Sequence, residues 1–212
     1  MPSSRPPASR HLAADLAITA KGLIRQVNEA RSLGAGERVF ARAGFIGATM
    51  AAIANEAGLP KANLHCYFGA KQGLYRAVLA RTLRDRLAPM QAINADAAPR
   101  EALATYIRAR MAMSQPQPDA SRVYANELLH RAPVMAELMR TELRDIVRDK
   151  AAVIDGWVAA GRMATVDATQ LYFTIWAATQ TYADFDVQLR AVLGREALDA
   201  ADQARATEHV LG

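Results

Sequence analysis

Along most of this chain apolar residues recur three and four positions apart, and the strict alternation that builds strands is scarce. Ala, Leu, Arg, Glu and Met fill much of the rest, all good helix formers. The spacing predicts an all-α protein cut into pieces by glycine and proline. A first amphipathic segment containing Val39 and Phe40 closes at Gly44 and Gly47. Gly58-Leu59-Pro60 separates two short helices. The first is capped by Thr49 and carries Ile53 and Ala54; the second buries Leu64 and Phe68 and ends at Gly69.

A longer helix is expected from Lys71 to Ile93, and Pro99 opens another that carries Tyr106, Ile107 and Met111. "SQPQPDA" (114–120) reads as a loop, because its two prolines cannot both sit inside a helix. A segment over 121–131 follows, then Pro133 as the first residue of a long helix stopped by Gly161. Asp167 caps a nearly apolar helix running to residue 192, and a last helix covers 196–211.

Composition changes this picture by exclusion. No apolar run is long enough for a membrane span, and the N-terminus lacks the apolar core and cleavage site of a secretory signal, so a cytoplasmic protein is expected. Cys66 is the only cysteine, which rules out an internal disulfide and a thiolate-rich zinc site. The expected partition is a tail over 1–27, a small domain over 28–86 and a larger one over 87–212. The Pro/Ser-rich first nine residues read as disordered, while 10–27 fit either a helical extension or a mobile basic arm. Charge is uneven along the chain. Residues 1–86 hold 13 Lys/Arg against 5 Asp/Glu, or +8; residues 87–212 hold 13 against 16, or −3. A basic front on a mildly acidic remainder suits a localised contact with a polyanion.

Two short helices joined by a glycine-containing turn make a helix-turn-helix. With Leu64 and Phe68 turned inward, the second helix is left with Lys61, Ala62, Asn63, His65 and Tyr67 for its remaining faces. Lys61 and Lys71 bracket it with positive charge suited to phosphates, and Tyr67 can donate to a phosphate oxygen. Thr49 starts the preceding helix, whose free N–H groups suit another phosphate. Ala62 is small enough for close approach, and Asn63 and His65 can bond base edges. Taken singly, each of these residues fits an ordinary solvated surface better; the constellation together with the charge asymmetry favours DNA.

The stretch "FARAGFIGATMAAIANEAGLPKANLHCYFGAKQGLYRAVL" resembles the DNA-binding domain of TetR-type transcriptional regulators. Phe40, Gly44, Phe45, Thr49, Ile53, Ala54, Ala57, Gly58, Lys61, Leu64, Tyr67, Phe68, Lys71 and Leu74 carry the likeness. Pro60 and His65 depart from the usual serine and tyrosine, and Gly36 stands in the first helix where alanine is usual. The resemblance implies an N-terminal three-helix head that binds a palindromic operator. It also implies a larger helical domain that takes a small effector and forms a homodimer, with the two C-terminal helices as candidates for the dimer bundle.

Trp176 and Gln180 lie one turn apart on one helix face. Spacing alone leaves two readings open: a flat surface beside an amide that suits a planar ligand, or a core indole beside a glutamine bonded to a neighbouring helix. The flanking sequence resembles the pyrimidine-utilisation branch of the same family. That resemblance implies uracil or thymine as effector and control of nucleobase-metabolism genes. It implies Trp176 and Gln180 as ligand contacts, with Tyr182 and Asp184 beside them.

An enzyme is not expected. His11, His65, His130 and His209 are scattered, and there is no nucleophile elbow and no glycine-rich phosphate loop. Asp145 and Asp149 lie among Arg144 and Arg148 and read as surface ion pairs. No cofactor or metal is implied.

Overall fold

The computed structural model describes the backbone of residues 8–113 and 118–212, and the side chains of 21–113 and 119–212. Among the described residues every regular element is helical. No described helix is long and apolar enough to cross a membrane. The chain divides into two compact units between Tyr75 and Arg76, earlier than the boundary expected at residue 86. That division falls inside a continuous helix, which is why no break in the sequence marks it.

The first unit begins with α1 (Ala8–Gly47). The tail expected over 1–27 lies partly outside the described residues; from Ala8 onward the backbone belongs to α1. Gly44 (φ 65°, ψ 177°) interrupts it one turn before its end, where the sequence places a breaker. α2 (Met50–Ala57) starts on Thr49, whose hydroxyl accepts the Ala52 N–H at 3.1 Å. It stops at Gly58 in the left-handed region (φ 62°). A Cβ there would stand 3.0 Å from the Arg31 guanidinium, which donates to the Ala57 carbonyl at 2.8 Å. Strain and crowding together keep this position glycine.

α3 (Lys61–Phe68) then runs to Gly69, and α4 (Lys71–Leu87) begins almost at once. Val39, Phe40, Met50, Ile53, Leu64 and Leu74 are buried behind these helices. Leu64 is fully enclosed, a contribution of about 1.5–3 kcal/mol. The Tyr75 ring lies 4.9 Å from both Phe40 and Phe45, edge-on to the first.

The second unit takes up α4 from Arg76. The helix expected to reach Ile93 ends at Leu87 and tightens into a 3-10 turn, Ala88–Ala92, because Pro89 has no N–H to continue the α ladder. α5 (Pro99–Ala112) and α6 (Pro118–Leu129) follow. Of the expected loop, residues 114–117 lie outside the described residues, and Pro118 opens α6, where its missing N–H costs nothing.

The long helix expected from Pro133 begins later. Arg131 and Ala132 adopt positive φ (69° and 51°), and the Glu127 carboxylate accepts the N–H groups of Val134 at 2.6 Å and Met135 at 3.1 Å. The acidic anchor holds those residues in a turn. α7 (Ala136–Leu138) then widens into a π turn, Met139–Leu143, before α8 (Arg144–Ala159).

Asp167 caps α9 (Ala168–Asp184) by accepting the Gln170 N–H at 3.0 Å. Phe185 breaks the expected continuation, and α10 (Asp186–Leu193) is a separate helix. α11 (Ala200–Leu211) starts on a reciprocal cap between Asp199 and Asp202. α9 packs against α5, α6, α8, α10 and α11, so it is the central helix of this unit. Tyr106, Ile154, Trp157 and Tyr172 are fully buried around it.

Candidate functional site

In the first unit, α3 presents Lys61, Ala62 and His65 to solvent, with Asn63 and Tyr67 half-buried at its edges. Leu64 faces inward as expected, whereas Phe68 is only half-buried. Thr49 is exposed, its hydroxyl oxygen engaged in the cap of α2. His65 is constrained. Its Nδ1 donates to the Gly69 carbonyl at 2.7 Å and closes the end of α3, which leaves Nε2 for any outside partner. Tyr67 is tied back to α1: its hydroxyl accepts from Asn28 at 3.5 Å, and the Arg25 guanidinium lies 5.6 Å from its ring centre.

Lys71 differs most from expectation. Its ammonium donates to the carbonyls of Phe45 (2.7 Å), Ile46 (3.2 Å) and Ala48 (2.9 Å) and sits 4.6 Å from the Phe45 ring centre. All three protons are engaged, so Lys71 ties the α1–α2 turn to α4 instead of offering free donors. Arg38 and Arg42 both bind Glu56, at 2.6 and 2.7 Å. Those bonds hold the Glu56 carboxyl below its ordinary range.

In the second unit, Trp176 and Gln180 border one cavity of about 250 Å³. Leu83, Leu87, Leu128 and Leu143 supply its apolar walls, and Arg86, Arg110 and Tyr124 its other polar groups. The Trp176 indole N–H donates to the Tyr106 hydroxyl at 2.7 Å, which fixes the ring and leaves its faces for packing.

Gln180 belongs to a closed ring of hydrogen bonds. Arg86 donates to the Gln180 amide oxygen at 3.0 Å and to the Ser121 hydroxyl at 2.6 Å. Gln180 and Ser121 each donate to one oxygen of Asp184. The Arg86 guanidinium also lies 4.5 Å from the Tyr124 ring centre. Burial, and then the neighbouring Arg110, push its pKa below the usual arginine value. Burial raises the Tyr106 and Tyr124 hydroxyls.

Of the four expected ligand residues, the structure joins Trp176, Gln180 and Asp184, the last behind Gln180. Tyr182 does not line the Trp176 cavity; it borders a cleft with Arg122, Asp186 and Arg190, and Asp184 lines that cleft too. Arg86, Arg110, Tyr124 and Ser121 escape the sequence reading. A signal exists for the two arginines. Leu79, Leu83 and Arg86 share one helical stripe, as do Tyr106, Ile107 and Arg110, so each arginine occupies a position that its periodicity marks as inward. Among the described residues, no group of three or more His, Cys, Asp or Glu is placed to hold a metal.

Residues 33–78 match the bacterial regulatory proteins of the tetR family, and residues 79–212 match the C-terminal region of YcdC-like protein. The chain is 40% identical over 171 residues to the HTH-type transcriptional regulator RutR of Escherichia coli strain K12 and to that of Shigella flexneri. Each match covers 81% of this chain and 81% of the relative. Two solved structures share the fold. A TetR family transcription regulator from Marinobacter aquaeolei VT8 superposes with a TM-score of 0.68 at 16% identity, covering 88% of this chain and 94% of that one. A TetR-like transcriptional regulator from Rhodococcus sp. RHA1 gives 0.61 at 22%, covering 87% and 93%. A capped helix-turn-helix over residues 49–69, an all-helical second unit and these matches along the chain lead to one conclusion: this protein belongs to the TetR family of DNA-binding transcriptional regulators, a family of regulators and not of enzymes.

Proposed function

We propose that this regulator is a homodimeric repressor of pyrimidine-utilisation and nucleobase-metabolism genes that responds to uracil or a related pyrimidine. The observation that carries the effector assignment is the joint placement of Trp176 and Gln180 on one cavity of about 250 Å³. A dry cavity of about 150 Å³ holds benzene, so this one has room for a single substituted ring. The indole offers a flat surface, and Gln180 with Arg86 offers both donors and an acceptor to a ring edge. The 40% identity to RutR supports the same reading.

In the described structure Gln180 already bonds Arg86 and Asp184. A ligand carbonyl or imide N–H therefore exchanges bonds with that ring of partners instead of filling vacant sites. Such an exchange is the local event that biases the dimer. A ligand that prefers the state with low operator affinity by tenfold to a hundredfold supplies the coupling, about 1–3 kcal/mol, that release requires.

On the DNA side, Lys61, Ala62, Asn63 and His65 of α3 are the groups offered to the major groove, with Thr49 and Tyr67 directed to phosphates. Lys71 acts by holding the turn between α1 and α2.

The test is a gel shift on a duplex that the protein selects from a random library, titrated with uracil. Retardation should weaken as uracil rises. Gln180→Ala should still retard the duplex but lose the response. Retardation that saturating uracil leaves unchanged removes the pyrimidine assignment and leaves the DNA-binding role standing.

A further inference from the structure

The cavity beside Trp176 carries more positive charge than a neutral ring calls for. Its charged lining residues are both arginines, Arg86 from α4 and Arg110 from α5. Among the described residues, their direct hydrogen-bond partners are neutral groups. Arg86 donates to Gln180 and Ser121 and covers the Tyr124 ring, and Arg110 reaches the Thr179 hydroxyl at 3.3–3.4 Å. Asp184 is the nearby carboxylate, and its two oxygens accept from Gln180 and Ser121.

We infer that this chamber selects a planar ring bearing a carboxylate, held by Arg86 and Arg110, over the same ring without one. The inference rests on the effector reading above and narrows its chemical class. A guanidinium presents parallel N–H groups that match the two oxygens of a carboxylate, and a second guanidinium supplies a further donor to the same anion. The aliphatic walls and the Trp176 indole take the ring. Burial and the repulsion of Arg110 lower the pKa of Arg86, and the Asp184 charge, which acts on it without a direct hydrogen bond, offsets them only in part; a bound carboxylate offsets them further.

Binding to the full chain is measured by calorimetry with three probes: uracil, orotate (the same ring with a carboxylate) and benzoate (a carboxylate on a ring that is not a pyrimidine). Orotate should bind about tenfold to a hundredfold more tightly than uracil, the range expected for charge-assisted hydrogen bonds. Arg110→Gln should erase most of that advantage while changing uracil binding little, whereas Arg86→Gln, which also removes a donor to the ring edge, should weaken both probes and orotate the more. Equal weakening of orotate and uracil by Arg110→Gln would mark a merely structural role for that arginine and would overturn the inference. Uracil binding as tightly as orotate also overturns it, with the pyrimidine reading intact. Benzoate binding alone, with the same loss in both variants, upholds the carboxylate inference and removes the pyrimidine reading. Failure of all three probes to bind removes both.

Discussion

Gly73 stands so close to the end of α3 that a Cβ on it would lie 2.1 Å from the Phe68 carbonyl oxygen. No side chain fits there without moving backbone, so this glycine sets how tightly α4 follows α3. Gly156, in α8, has nothing within 4 Å of the same imagined atom. The two positions make a matched pair. Gly73→Ala should lower stability by about 2 kcal/mol or more, whereas Gly156→Ala should leave it unchanged or raise it by about 0.5–1 kcal/mol. Denaturant unfolding of both variants checks this, and equal effects would refute the crowding argument. Lys71 acts at the same scale: its charge looks available in sequence, yet three backbone carbonyls take its protons.

Among the helices, the caps were legible and the lengths were not. Thr49, Gly58, Gly161 and Asp167 terminate or start helices where their chemistry says they should. Pro133 misleads because the Glu127 carboxylate, distant from the helix start, holds the following N–H groups in a turn. α11 begins on a cap that spacing did not bring out. Asp199 accepts the Asp202 N–H at 2.8 Å, and Asp202 accepts the Asp199 N–H at 3.2 Å. That backbone bond, followed by Arg205 and Arg195, holds the Asp202 carboxyl below its ordinary value. A lowered folded pKa stabilises the protein above the unfolded value, about 4, and the contribution is lost as pH falls through the folded value. Below about pH 4 the unfolding midpoint of the wild type should therefore fall more steeply than that of Asp202→Asn. Parallel curves would show that the cap carries no titrating stability. At neutral pH, Asp199→Ala should cost about 1 kcal/mol.

At the scale of the whole molecule, α10 stands out for the apolar surface it leaves exposed. None of its residues is buried, and Val187, Val192 and Leu193 are exposed by 67%, 79% and 52%. On the homodimer proposed above, a second copy of the chain is the occupant that fits, since an apolar face of this kind is otherwise left in water. Val192→Glu should shift the protein towards monomer in sedimentation and weaken operator binding together with it; a variant that stays dimeric places the interface elsewhere. Operator affinity should also fall steeply with salt, because phosphate contacts release counterions. A flat salt dependence would contradict the role given to α3.

Sequence by itself determined the helical class, the helix-turn-helix with its caps, the basic front and the family resemblance. All of these rest on local rules: periodicity, capping chemistry and the conformational demands of glycine and proline, which act over a few residues. Tertiary structure decided the chamber. Arg86, Arg110 and Tyr124 arrive from α4, α5 and α6 to meet Trp176 and Gln180 on α9, partners separated by 52 to 94 positions along the chain. Long-range packing alone turns two arginines on apolar stripes into one charged wall, and the same packing leaves Tyr182 on another face.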